Sequence, residues 1–232
     1  MLLLNFHFFS GRVWSYWPTS PKHLEYYERK MLGRVKTPYL LRVVPISMPD
    51  GTKYDISTLE ITSDPSLSVN AQSLAHIKAA NKSTGICAYP LVMIHGFGGG
   101  LAVFVKNFDD LAQNFTKLYA FDSLGFGRSS RPQFPANEYE VENMFVESIE
   151  AWRKAMGIEK MVLLGHSFGG YQAAAYALRY PNHIKHLVLA DPWGFPICPP
   201  NPIPKRIPWW ARGVVRVLRH FAPFSALRYS YT

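Results

Sequence analysis

Cysteine is scarce in this chain, and acidic residues are absent from its last stretch. Two cysteines, Cys87 and Cys198, stand among 232 residues. That excludes a disulfide framework and suits a reducing compartment. No run approaches the ~18 consecutive apolar residues that a spanning helix needs, so no segment is expected to cross a bilayer. The apolar opening "MLLLNFHFF" has no basic region ahead of it and no small-residue cleavage site, so it does not read as a secretion signal. From Pro192 to Thr232 there is no Asp or Glu, while Lys205, Arg206, Arg212, Arg216, Arg219 and Arg228 supply six of the nine net positive charges. A basic, aromatic tail suits an anionic surface. With no nucleic-acid motif present, lipid is the expected partner and nucleic acid is not. Nothing implies a metal or an organic cofactor.

What is present reads as a globular chain long enough to bury a core, with 48% apolar and 18% charged residues. Residues 1–35 form an aromatic N-terminal arm carrying Trp14, Tyr16, Trp17, Tyr26 and Tyr27. "YLLRVVPI" and "KYDISTLEIT" around "SMPDG" predict a β-hairpin. Residues 62–86 lack apolar periodicity and read as an exposed loop, with a short helix over Ala75–Ala80. Then short apolar runs recur: "YPLVMIHG", "KLYAFD", "KMVLLG" and "HIKHLVLAD". Helical patterns lie between them. In Val141–Gly157, Phe145, Ile149, Trp152 and Met156 share one face, and Glu142, Glu147, Glu150, Arg153 and Lys154 lie off it. A second helix is predicted from Phe168 to Arg179, ending before Pro181. Strands alternating with helices predict an α/β fold with a mostly parallel sheet and helices on both faces.

One short stretch carries chemistry. "GHSFGG" places Ser167 between a buried strand and a helix, with Gly165 and Gly169 two residues to either side. In a G-x-S-x-G elbow the serine backbone is strained so that its hydroxyl projects above the sheet. Larger side chains at the two glycines would collide with each other and with the next strand. The same motif would also suit an ordinary helix-capping serine in a glycine-rich turn. Some 70 residues earlier, "IHGFGGG" follows another strand. Acyl transfer needs two N–H donors aimed at the developing oxyanion. The candidates are Phe168, directly after the serine, and Phe97, in the loop of Gly96 and Gly98. His95 and His166 flank these motifs and read as structural hydrogen-bonders rather than bases. Asp122 is expected to hold the "GFGRSS" backbone.

Taken in order, "HGFGGG", "AFDSLGFGRSSRP", "VENMFVESIEAWRKAMG", "LLGHSFGG" and "DPWGFP" resemble the α/β-hydrolase fold family, and more narrowly α/β-hydrolase domain-containing proteins 4 and 5. The resemblance implies a core at 36–196 and the start of a cap at 197–232. It also implies a serine nucleophile at Ser167. One subgroup it points to is a lipase acting on N-acyl-phosphatidylethanolamine and lysophospholipids, with serine at the elbow. The other is a lipid-droplet coactivator of triglyceride lipase, also a lysophosphatidic acid acyltransferase, with asparagine there. Ser167 favours the hydrolytic subgroup.

In this family the catalytic acid and histidine come late in the chain. On the resemblance, they and the last strands are not present in this chain, which reads as a fragment or a non-catalytic isoform. Asp191, after the last apolar run, is a weaker candidate for the acid. "HLVLAD", His186 to Asp191, fits an H-x-x-x-x-D spacing by coincidence. Trp14 and Trp17, with Trp209 and Trp210 at the start of the basic end, are the candidates for a lipid surface. The expected function is a serine esterase acting on phospholipid or lysophospholipid esters. The alternative is an acyltransferase or a lipase coactivator with a triglyceride lipase as partner. Either would be cytoplasmic, and peripheral on a lipid droplet or endomembrane.

Overall fold

A computed structural model of the chain describes residues 20–62 and 87–194. The expected helix over Ala75–Ala80, the tryptophans Trp14, Trp17, Trp209 and Trp210, and the cap segment lie outside the described residues. The body that contains nearly all the described residues begins at Pro21, earlier than the boundary near residue 36 that the sequence suggested. The reason is a helix, α1 (Pro21–Leu32), whose last residue, Leu32, is fully buried. Its tyrosines Tyr26 and Tyr27 are exposed, so aromatic content alone did not reveal the packed face.

Six strands form one sheet in the order β1-β2-β4-β3-β5-β6. They are β1 (Tyr39–Ser47), β2 (Lys53–Thr62), β3 (Leu91–Ile94), β4 (Lys117–Phe121), β5 (Met161–His166) and β6 (Ile184–Ala190). β1 and β2 make the predicted hairpin, with Val43 opposite Ser57. Its turn is closed by Met48 N–H to the Thr52 carbonyl at 2.8 Å and by Thr52 N–H to Asp50 Oδ1 at 2.8 Å. β2 runs antiparallel to β4, and β3, β4, β5 and β6 run parallel.

Because successive side chains of a strand point to opposite faces, each central strand feeds two cores. Val92, Ile94, Tyr119, Phe121, Met161 and Leu163 face one way. Leu91, Met93, Leu118, Ala120 and Val162 face the other. The first face is covered by α3 (Glu138–Ala155) and α4 (Phe168–Arg179), through Val146, Ile149, Trp152, Ala173 and Tyr176. The second is covered by Leu32 of α1, by a 3₁₀ turn at Leu101–Phe104, and by Phe108 of the single-turn α2 (Phe108–Leu111).

α3 shows how local chemistry sets an element's limits. The Asn137 side chain accepts the N–H groups of Tyr139 and Glu140, satisfying donors that the first turn leaves open. Glu138 and Glu140 sit in the first turn and Arg153 and Lys154 in the last, matching the helix dipole. Gly157, at φ +65°, follows the last turn and ends it. Phe145, Ile149 and Trp152 are buried as the apolar spacing required, but so are Glu150 and Arg153, which lie off that stripe. They are buried as a pair. Arg153 donates twice to Glu150, at 2.8 Å each, and the Tyr176 hydroxyl donates to the same carboxylate at 2.8 Å. None of the helices among the described residues is long and apolar enough to cross a membrane.

Candidate active site

Ser167 stands between the end of β5 and the first residue of α4, with φ 53° and ψ −118°. A β-carbon costs energy in that region, on the order of 1–3 kcal/mol. The neighbours show why the turn is built from glycine. A β-carbon at Gly165 would lie 2.2 Å from the Gly169 carbonyl oxygen. One at Gly169 would lie 2.3 Å from the Ile94 carbonyl oxygen of β3. The elbow is tied from both sides. Ser167 N–H donates to the Ala190 carbonyl at 3.0 Å, and the Ser167 carbonyl accepts the N–H groups of Gly170 and Trp193 at 2.9 Å each. The Ser167 side chain makes no capping hydrogen bond to α4, so helix capping does not account for a serine at this position. Its neighbourhood is a helix N-terminus, where open N–H groups and the dipole favour negative charge.

The loop after β3 meets the elbow directly. A β-carbon at Gly96 would lie 3.1 Å from Ser167 Cβ and 3.1 Å from His166 Nδ1, so a larger residue here would crowd the serine and glycine gives this main chain its close approach. Phe97, on the loop after β3, and Phe168, the first residue of α4, therefore lie on either side of this contact, with ring centroids 6.2 Å apart. Gly98, at φ +71°, turns the chain after Phe97.

His95 is buried. Its Nδ1 lies 2.8 Å from the Gly96 carbonyl and its Nε2 accepts Ser123 N–H at 3.1 Å. These partners place the single proton on Nδ1. Burial, the larger effect, lowers its pKa and keeps the ring neutral, while the Gly96 carbonyl works against that. It is a structural ring, as its place in the motif suggested. His166 is exposed. Among the described residues no histidine is hydrogen-bonded to the Ser167 hydroxyl. Asp191 is exposed and left-handed, at φ 48°, just after β6. His186 is exposed on β6.

Asp122 holds the "GFGRSS" segment as the sequence implied: its carboxylate accepts Arg128 N–H at 2.7 Å, and its carbonyl accepts the Ser129 hydroxyl at 2.6 Å. A further bond, from Leu101 N–H at 2.7 Å, joins segments 21 residues apart and was not foreseen.

Sequence reasoning also missed a group of rings around the serine. Phe168 lies within 5.4–6.2 Å, centroid to centroid, of Phe97, Phe126, Phe145, Tyr171 and Trp193. Phe97 and Trp193 remain 57% and 61% exposed, so the surface beside Ser167 is aromatic and open. The signal lay in the segments "DSLGFGRSS" and "DPWGFP", which carry Phe126 and Trp193, but no spacing rule brings them to one point.

The description "alpha/beta hydrolase fold" matches residues 89–222. Over 211 residues the chain is 46% identical to a human protein named 1-acylglycerol-3-phosphate O-acyltransferase ABHD5, covering 90% of this chain and 53% of that one. Over 140 residues it is 52% identical to human (lyso)-N-acylphosphatidylethanolamine lipase, covering 60% of this chain and 41% of that one. The chain thus spans about half the length of the curated relatives it matches. Among solved structures, carboxylesterase CesB from Bacillus subtilis superimposes with a TM-score of 0.54 at 17% identity, covering 74% of this chain and 50% of that one. That likeness shows the fold alone.

Proposed function

The chain belongs to the α/β-hydrolase fold family, and from that premise we propose that it is a serine carboxylester hydrolase acting on phospholipid or lysophospholipid acyl esters. Ser167 Oγ attacks the ester carbonyl, its proton passes to a base, and the alcohol leaves, forming an acyl-enzyme. The N–H groups of Phe168 and Phe97 hold the oxyanion, each contributing about 10²–10³ in rate. Water then releases the fatty acid. A lysophospholipid acceptor in place of water makes the same site an acyltransferase. On the family resemblance the base and acid of such a triad come late in the chain, with Asp191 the weaker candidate for the acid.

The observation that carries this reading is the strained, uncapped serine packed against Gly96 of a second loop. The open aromatic surface beside it supports an apolar acyl group over a polar one. A second reading is a lipid-surface scaffold that recruits a triglyceride lipase. The match to the acyltransferase-named relative, which covers 90% of this chain against 60% for the lipase-named one, supports the acyltransferase form of the Ser167 site, whereas the scaffold is supported by the basic end, with six positive charges and no acidic residue from Pro192 on. Peripheral residence on a lipid droplet or endomembrane fits both readings.

A fluorophosphonate probe separates them. Labelling at Ser167, abolished in Ser167→Ala with the fold intact by circular dichroism, is the expected result. A folded protein that binds lipid droplets but never takes the label overturns the hydrolase reading and leaves the scaffold.

A further inference from the structure

The loop that carries Phe97 is anchored at both ends to one dipeptide, Asp122–Ser123, directly after β4. At its start, Ser123 N–H donates to His95 Nε2 at 3.1 Å, and His95 Nδ1 donates to the Gly96 carbonyl at 2.8 Å. At its end, after the glycines, Leu101 N–H donates to Asp122 Oδ1 at 2.7 Å. The other carboxylate oxygen accepts Arg128 N–H at 2.7 Å. Main chain closes on this carboxylate from two sides. A β-carbon at Gly100 would lie 3.0 Å from Asp122 Oδ1, and one at Gly127 would lie 2.1 Å from its carboxyl carbon.

From this geometry we infer that Asp122 is a positioning residue for the acyl-transfer site: its carboxylate, with the Ser123–His95 bond, clamps the Gly96–Leu101 loop at the height where Gly96 packs against Ser167. The inference rests on the hydrolase reading only for the use to which that loop is put. The clamp itself is a matter of main-chain geometry.

The clamp requires the ionised carboxylate. A protonated carboxyl turns one oxygen into a donor, which then faces the N–H of Leu101 or Arg128 and loses that tether. Burial pushes the Asp122 pKa up to about 6, against the pull of the Arg128 and Leu101 N–H groups and of the Arg128 and Arg131 guanidinium charges. Glu28 of α1 also faces it, buried and itself tied to Arg128 at 3.0 Å, with Glu25 at 3.7 Å from the same guanidinium. The clamp is therefore closed at neutral pH and opens under mild acid. Arg128 shifts the midpoint, and its own position is set from α1.

Hydrogen exchange of residues 96–104, corrected for the intrinsic pH dependence of exchange, tests this. Protection in the wild type should fall about tenfold between about pH 7.5 and about pH 5, the loss of one charge-assisted hydrogen bond. Asp122→Asn should be loosened already at neutral pH, with no further dependence. Arg128→Gln keeps the main-chain bond but removes the cation, so its midpoint should move to higher pH. Fluorophosphonate labelling at neutral pH should slow at least about tenfold in Asp122→Asn. Unchanged protection across pH in the wild type, or an unshifted midpoint in Arg128→Gln, overturns the clamp even if Asp122→Asn fails to fold. A loosened loop with labelling at the wild-type rate overturns the positioning role. A loop that behaves as described around a serine that never labels supports the clamp and overturns the hydrolase reading.

Discussion

Single residues in this protein are placed by conflicts as much as by contacts. Gln172 lies on the inner face of α4, buried, and among the described residues neither its amide nitrogen nor its amide oxygen has a hydrogen-bond partner. A buried amide left unpaired costs about 1–3 kcal/mol. Gln172→Leu is therefore expected to raise stability by about 1–3 kcal/mol, read from chemical denaturation; a loss of stability would show that the amide is satisfied in solution. Asp122 carries a second conflict. Because its pKa is raised to about 6 from 3.8, its ionisation opposes folding. The stability it offers is complete below about pH 4 and lost as the pH rises through about 6, a difference of about 3 kcal/mol. Asp122→Asn should flatten that slope. The turn at Ser167, by contrast, was legible in the sequence from the glycines at 165 and 169, but the choice between an elbow and a helix-capping serine needed the structure, where the side chain makes no capping bond. Asp122's role in that turn's surroundings was half legible. Its bonds to the nearby "GFGRSS" segment follow from short-range geometry, but the tether to Leu101 joins two strands' loops and has no local signal.

At the scale of elements, α3 shows where periodicity stops being informative. Its apolar stripe predicts the burial of Phe145, Ile149 and Trp152 and says nothing of Glu150 and Arg153, which are buried because they neutralise each other and because Tyr176 of α4 and the Ile158 carbonyl complete their hydrogen bonds. Burial alone would raise the Glu150 pKa, but the bonds from Arg153, Tyr176 and Lys154 outweigh it and hold it at about 2. This group therefore has the opposite sign to Asp122. Its stabilisation is present above 4.5 and lost as the pH falls toward about 2. Glu150→Gln should be less stable than the wild type at neutral pH, and the gap should close across that acid window in thermal melts. A gap independent of pH would mean that the ion pair contributes nothing beyond packing. The helix α1 was missed for the complementary reason. Its exposed tyrosines dominate the sequence, and the one residue that anchors it by full burial, Leu32, is unremarkable until the second face of the sheet is known.

For the whole molecule, charge asymmetry belongs to the sequence and is independent of the fold. The chain carries +9 overall, six of it after Pro192. Binding to vesicles containing anionic phospholipid is expected to weaken steadily as ionic strength rises from about 0.05 to about 0.5 M, because the Debye length falls from beyond 10 Å to below 5 Å. Neutralising Arg212, Arg216 and Arg219 together, three of the six charges of the tail, should reduce the salt dependence by about half in a co-flotation assay. Salt-independent binding would instead assign the surface to aromatic insertion.

The sequence by itself determined the strands, the helices α3 and α4, the glycine turn at Ser167 and the charge of the tail, because each depends on side-chain period, glycine placement or local composition. Only the tertiary structure decided the order of the strands across the sheet, the inward turn of Glu150 and Arg153, the aromatic ring around Phe168, and the suspension of the Phe97 loop from Asp122 and Ser123. Those features are contacts between segments far apart in the chain, and they exist only where the sheet brings several loop ends to one edge.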